Sequence, residues 1–261
     1  MPPDGFLDVL DRADRASALP RLGGMARADG VVVVSERFWA FAGVDGSLRE
    51  GSMPRPPQPL SRLPLVRGLL RLGASLSPLF RRSGVARTRE RSFLAAAVVA
   101  PPALVFAPSW VGFAAGVVVT GALIAWLLRG RTLFLHGAEH RAIAAAEQRR
   151  LRETWRGDVR PSRFSPRCGT NFAALLVPVA TLGQHLWTLP TAAFTPLVVT
   201  VLSLAVTMEL WQLVQSSSRG LAKAFLLPGL ALQRVTTREP KLEETRVALR
   251  ALASVLQREL A

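Results

Sequence analysis

Two of the chain's three histidines stand four residues apart, in His136-Gly137-Ala138-Glu139-His140. On a helix, positions i, i+3 and i+4 share a face, so His136, Glu139 and His140 would project together. Two imidazoles and a carboxylate on one face supply part of a metal site or an acid–base pair. Two further residues could join them: Cys168, the only cysteine, and Glu209, the only acid of a long uncharged stretch. His, Cys and carboxylate all suit zinc, and an open fourth position would permit activation of water. The order His-x-x-Glu-His also matches the inverted zinc-protease motif, in which the histidines hold metal and the glutamate is a base. That match is five residues long with no soluble fold behind it, so it weighs little. His185 reads as a packed or interfacial histidine.

The surrounding chain must bring these residues to one level. Hydrophobic residues make up 49% of the 261-residue chain. They concentrate in residues 92–128 and 168–208, which contain no Asp, Glu, Lys or Arg. Each run exceeds the ~20 residues of one membrane crossing and suits two crossings joined by a tight turn. The 33 Lys plus Arg, against 18 Asp plus Glu, fall outside these runs. By segment, 15 lie in 1–91, 10 in 129–170 and 8 in 215–261. The positive-inside rule places all three segments in the cytoplasm, both termini included. A single cysteine forms no internal disulfide, which fits a reducing compartment, and the first 30 residues do not read as a cleaved signal peptide.

The expected fold is mainly α: a four-span polytopic protein of the inner membrane, with two transmembrane hairpins, a small N-terminal β unit and cytoplasmic amphipathic helices. Residues 1–61 form the N-terminal unit. In it Gly23-Gly24 breaks the chain, strands at Val31–Ser35 and Phe38–Val44 with an Asp45-Gly46 turn make a β-hairpin, and a Pro-rich linker follows. Residues 62–91 form an interfacial helix, with Arg67 and Arg71 reaching lipid head groups, and a basic stop. An equal alternative packs that helix on the cytosolic unit. The first hairpin occupies 92–128, its spans at Ser92–Ala107 and Trp110–Leu128 and the former kinked at Pro101-Pro102. Residues 129–170 form the basic loop carrying the histidines, which a helix continuing past Leu128 would present just inside the cytoplasm. The second hairpin occupies 171–214, with spans at Phe172–Thr188 and Ala192–Val214 and a turn at Leu189-Pro190. Residues 215–261 end in an amphipathic helix that starts around Thr236-Thr237-Arg238-Glu239-Pro240.

This topology brings His136, His140, Cys168 and Glu209 to the cytoplasmic interface, where an intramembrane carboxylate usually faces a partner. A structural reading uses the same residues differently. Glu209 pairs with an arginine such as Arg167, the histidines hydrogen-bond glutamates and backbone, and Cys168 packs beside Gly169. Both readings stand on the sequence alone.

Four ordered motifs, HGAEH at 136–140 with Glu147, PRCGTNF at 166–172, Glu209, and PGLALQRVTTREP at 228–240, resemble an uncharacterised bacterial membrane-protein family. Its members are commonly labelled "predicted metal-dependent enzyme". A weaker similarity extends to Gly23-Gly24 and Asp29-Gly30. The chain departs from the family pattern at Ser165, where a histidine is usual, at Ala146 and Met208 in place of tyrosines, and at Gln212 in place of arginine. If the histidine at 165 is a ligand in the family, this chain lacks one.

The resulting expectation is a metal-dependent, hydrolytic enzyme at the cytoplasmic membrane surface. His136 and His140 hold a divalent metal such as zinc, Cys168 or Glu209 is the third ligand, and Glu139 serves as base or supports the ligands from behind. The competing expectation is a non-enzymatic scaffold whose basic face docks a ribosome, a protein translocase or another membrane protein. Anionic lipid head groups are partners under either, at about 1 kcal/mol per juxtamembrane arginine. Sequence-specific nucleic-acid binding is not expected, because aromatic residues do not alternate with the basic ones. A transporter is disfavoured by short spans with few polar residues.

Overall fold

A computed structural model of the chain describes residues 3–55, 57–81, 84–103, 108–187, 195–216, 220 and 224–261. It is mainly helical, with a small N-terminal antiparallel sheet, and it divides into two compact units. The first unit is assembled from three separated stretches, Met1–Arg55, Leu128–Cys168 and Leu230–Ala261. These largely coincide with the three basic segments, which sequence spacing presents as separate pieces.

The sheet of this unit is a meander, β1 (Gly23–Arg27), β2 (Gly30–Val34), β3 (Phe38–Gly43) and β4 (Leu48–Ser52), in chain order. The expected hairpin is therefore only its centre, with Val32 opposite Phe41 and Val34 opposite Trp39. The two outer strands lack a strand signal for different reasons. Gly23-Gly24 looks like a chain break but opens β1, with Gly24 opposite Val33. β4 is polar and almost wholly exposed, so it lacks the apolar alternation that marks a half-buried strand. The Asp45-Gly46 turn is real and joins β3 to β4. Asp45 Oδ1 accepts hydrogen bonds from the Ser47 amide (3.0 Å) and hydroxyl (2.6 Å), and Gly46 takes φ 85°.

Alternation puts Val31, Val33, Ala40 and Ala42 on one face of the sheet, all buried. Two helices cover that face. One is α5 (Thr132–Glu147), whose Ala138, Ala142, Ala145 and Ala146 are small enough to let it lie close. The other is the last helix, α10 (Leu242–Glu259), which buries Val247, Leu249, Leu252, Val255 and Leu256. Helix α1 (Pro3–Arg15) adds Val9, Leu10 and Ala13, and Asp14 near its end accepts from the Leu151 and Arg152 amides (2.9 and 3.0 Å) to cap α6 (Leu151–Arg156). Leu252 is fully buried at the centre of this core. A Leu252→Ala change is expected to cost about 2–5 kcal/mol. Pulse proteolysis in urea would read it as a lowered midpoint, and a wild-type midpoint would contradict this packing.

Two helix boundaries differ from expectation. The helix ending at Leu127 does not run on into the histidines, because Gly130 at φ 59° turns the chain before α5 starts. Residues 236–240 do not open the last helix either. Thr236 ends α9 (Leu227–Thr236), Thr237 folds its hydroxyl back onto the Gln233 carbonyl (2.6 Å), and α10 begins after Lys241. Glu244 supplies the N-terminal cap by accepting from the Lys241 amide (2.7 Å).

The second unit, Pro56–Leu127 and Gly169–Gly229, holds α2 (Val66–Phe80), α3 (Thr88–Ala103), α4 (Ser109–Leu127), α7 (Gly169–Leu186) and α8 (Thr195–Ser216). Helix α3 continues through Pro101-Pro102 to Ala103. Residues 104–107 and the expected turn at Leu189-Pro190 lie outside the described residues. Among those described, one helix, at Leu197–Gln215, is long and apolar enough to cross a membrane.

Helix α2 packs on α8, an arrangement neither sequence reading anticipated. Its Arg67 and Arg71, both partly exposed, hold side chains of α8. Arg67 donates to both oxygens of Glu209 (2.9 Å from Nε to Oε1, 2.5 Å from Nη2 to Oε2), and Arg71 donates to Gln212 (2.6 Å). Gly68 makes this approach possible, since a Cβ there would sit 2.8 Å from Met208 Cβ. The Glu209 carboxylate also accepts from the amide of Leu65 (3.2 Å), whose φ of 68° just before α2 is rare for a branched residue.

Candidate metal centre

Helix α5 carries His136 and His140 one turn apart, their ring centroids 4.5 Å from each other and edge-on. Each ring is held by a backbone carbonyl: His136 Nδ1 by Thr236 (2.9 Å) and His140 Nδ1 by Arg163 (2.6 Å). A carbonyl only accepts, so both Nδ1 atoms carry the proton and both Nε2 atoms present a lone pair. His136 Nε2 lies 3.2 Å from Cys168 Sγ. His140 Nε2 is buried and has no hydrogen-bond partner among the described residues. One ligand atom each from His136, His140 and Cys168 fall within 4.8 Å of one another.

Burial keeps these imidazoles neutral. It lowers His136 from the ordinary histidine range, and together with the neighbouring His136 it takes His140 down to about 3. Neutral rings with Nδ1–H fixed by carbonyls are the form in which histidine binds metal, and such outer partners set ring orientation. The donor set of two nitrogens and a thiol matches zinc preferences. The orphaned Nε2 of a fully buried histidine is the sharpest sign of fit, because an unpaired buried acceptor is costly unless something occupies it.

The residues that complete this frame come partly from the motifs at 166–172 and 228–240, which gave no sign of what their side chains hold. A turn closed by the Cys168 amide on the Ser165 carbonyl delivers the thiol. Buried Gln233 grips Ser165 twice, accepting from its amide (2.9 Å) and donating to its carbonyl (2.8 Å). Ser165, the departure from the resembled pattern, thus sits in the turn that presents Cys168. Buried Arg141 donates to the carbonyls of Pro161 (3.1 Å) and Pro240 (3.2 Å) and to Glu239 (2.5 Å), tying both loops to α5. Its place directly after His140 was the only available hint.

Glu139 and Glu209 behave differently from the histidines. Glu139 stands outside the three-residue group, buried against Gly24 of β1. Burial pushes its carboxyl up to about 8. Glu209 belongs to the second unit and pairs with an arginine, as the structural reading expected, but the arginine is Arg67 and not the example Arg167, which pairs with Glu147 (2.5 Å). His185 lies in the last turn of α7.

The profile of a family described as "Protein of unknown function (DUF1385)" matches residues 122–258, just over half of the chain. The chain belongs to this family. No curated protein and no solved structure matches it. The DUF1385 region contains His136, Glu139, His140, Cys168 and Glu209, together with Thr236, Arg163 and Gln233 that frame the centre. It leaves out the sheet, although Gly24 of β1 makes the space that Glu139 fills.

Proposed function

We propose that the chain is a metal-dependent, hydrolytic enzyme working at the cytoplasmic face of a membrane. The observation that carries this reading is the gathering of one ligand atom each from His136, His140 and Cys168 within 4.8 Å of one another, with His140 Nε2 a buried lone pair that has no hydrogen-bond partner among the described residues. In this reading His136, His140 and Cys168 hold the ion, and Glu209 is left to its arginine. A divalent ion such as zinc at these atoms supplies Lewis acidity, and three protein ligands leave a position for water or substrate. The chain's own residues do the rest: the Thr236 and Arg163 carbonyls hold the rings in the ligating tautomer, and the Ser165–Gln233 pair fixes the thiol turn. Glu139, a buried carboxyl without a hydrogen-bond partner among the described residues, is the group available to move a proton.

Elemental mass spectrometry on the purified chain tests the reading. Near-stoichiometric zinc, iron or manganese supports it, and an apo protein that takes up none of them defeats it. Glu139→Gln should keep the metal while losing about 10²–10⁴-fold in hydrolysis of an ester and phosphodiester panel, the usual worth of one general acid–base group. Unchanged turnover would remove Glu139 from the mechanism.

The membrane part of the proposal is four crossings, by α3, α4, α7 and α8, with both termini cytoplasmic. It draws support from two runs without charge and from large apolar residues facing outward, such as Val118 (69% exposed) on α4 and Val177 (67%) on α7. A scaffold docking a ribosome or translocase is the second reading. It is favoured by arginines of the first unit that have no ion pair among the described residues, including Arg131, Arg156, Arg160 and Arg250. Salt-sensitive co-purification of such a partner with a metal-free chain would favour it over the enzyme.

A further inference from the structure

Helix α9 has its apolar residues on the outside. Its inward residue Gln233 is fully buried, whereas Leu227, Leu232 and Val235 are 61%, 46% and 62% exposed. At about 100° per residue, Leu227, Pro228, Ala231, Leu232 and Val235 occupy one arc of roughly 140°, and nothing polar interrupts it. Phe225, just ahead of the helix, is 60% exposed as well. Single exposed apolar residues are ordinary, but a continuous helical stripe of them marks an interaction surface.

Charge and chain position identify the partner. Residues 215–237 include Arg219, Lys223 and Arg234 and no Asp or Glu, and Arg238 follows. The side chains of Arg234 and Arg238 have no hydrogen bond or ion pair among the described residues, and Arg234 borders the apolar arc. Only residues 217–226 separate α9 from α8, which contains the candidate membrane span. An apolar stripe flanked by cations, on a short tether from a span, is the pattern of a helix lying in the head-group layer of a bilayer.

We infer that α9 is an interfacial helix docked on an anionic bilayer surface, its stripe among the acyl chains and Arg234 and Arg238 at lipid phosphates. This rests on the membrane reading above and not on the metal. It has a consequence for the candidate centre, because Thr236, the last residue of α9, supplies the carbonyl that holds His136 Nδ1. The helix in contact with lipid is therefore the one that orients a ligand.

The test uses the full-length chain in proteoliposomes of phosphatidylcholine and phosphatidylglycerol, with p-benzoylphenylalanine in place of Leu232 or Val235. After irradiation, intact mass should show single-phospholipid adducts at both positions, at least five-fold above the same probe in place of Val44, which is 41% exposed at the sheet turn. Arg234→Glu with Arg238→Glu should lower the adduct yield at least three-fold. Adducts no more frequent than at Val44, a yield indifferent to the charge reversal, or crosslinks to a second copy or another protein would overturn the inference. Carbonate extraction separates the two ideas. A chain released from membranes defeats the membrane reading itself, whereas an integral chain without adducts at 232 and 235 defeats only the placement of α9.

Discussion

The His136→Ala/His140→Ala protein is expected to lose its metal completely, with the metal-to-protein ratio falling from near one to background. Removing both imidazoles leaves only Cys168 of the three converging atoms, and one thiolate does not hold a divalent ion against buffer. Each single mutant keeps two ligands and should lose well over the 10–100-fold in affinity that outer partners alone command. The double change also separates chemistry from architecture. If the rings serve only to bind the Thr236 and Arg163 carbonyls, the wild-type chain carries no metal, and the mutant differs from it only in stability. Elemental analysis and a proteolysis midpoint on the same preparations distinguish these outcomes. A double mutant that keeps a full metal complement would falsify the assignment of the centre.

Gly137→Ala is expected to be the most damaging conservative change in the motif. Alanine normally favours a helix over glycine by about 1 kcal/mol, so the naive expectation is a gain. Here a Cβ would stand 2.2 Å from the Arg238 carbonyl oxygen and 3.2 Å from Pro240 Cδ. These belong to a backbone segment that no rotamer change can move aside. The segment would have to lift from α5, stretching the Arg238 amide bond to the Leu133 carbonyl (2.9 Å) and the Arg141 bond to Pro240. Overpacking of this kind costs about 1–3 kcal/mol, enough to outweigh the helical gain. Because Thr236 lies next to the lifted segment, metal content should fall together with stability. A stabilised Gly137→Ala protein would show that residues 238–240 do not rest on α5.

Residue spacing alone was enough to place His136 and His140 on one helix face, whereas Cys168 became their candidate companion only through the expected topology. It also located the central strands, the Asp45-Gly46 turn and the two long uncharged runs. These features are local: a period of 3.6, a turn residue that tolerates positive φ, a stretch without charge. Glu139 shows the limit. Spacing aligned it with the histidines, but the structure seats it against β1, because Gly24, more than a hundred residues away, leaves a hole of the right size.

What tertiary structure decided is the partnership of groups distant in the chain. Glu209 looked like a possible ligand by its level in the chain, but α2 brings Arg67 and the Leu65 amide to it, and a carboxylate engaged by a guanidinium has little reason to leave. The carbonyls of Thr236 and Arg163, which set the tautomers of both histidines, belong to backbone present at every residue and so have no signature in the alphabet of side chains. The same holds for the assembly of the first unit from three stretches. Side-chain type and spacing determine which faces are apolar and which atoms can ligate; only closure of the chain determines which backbone groups and which distant side chains meet them.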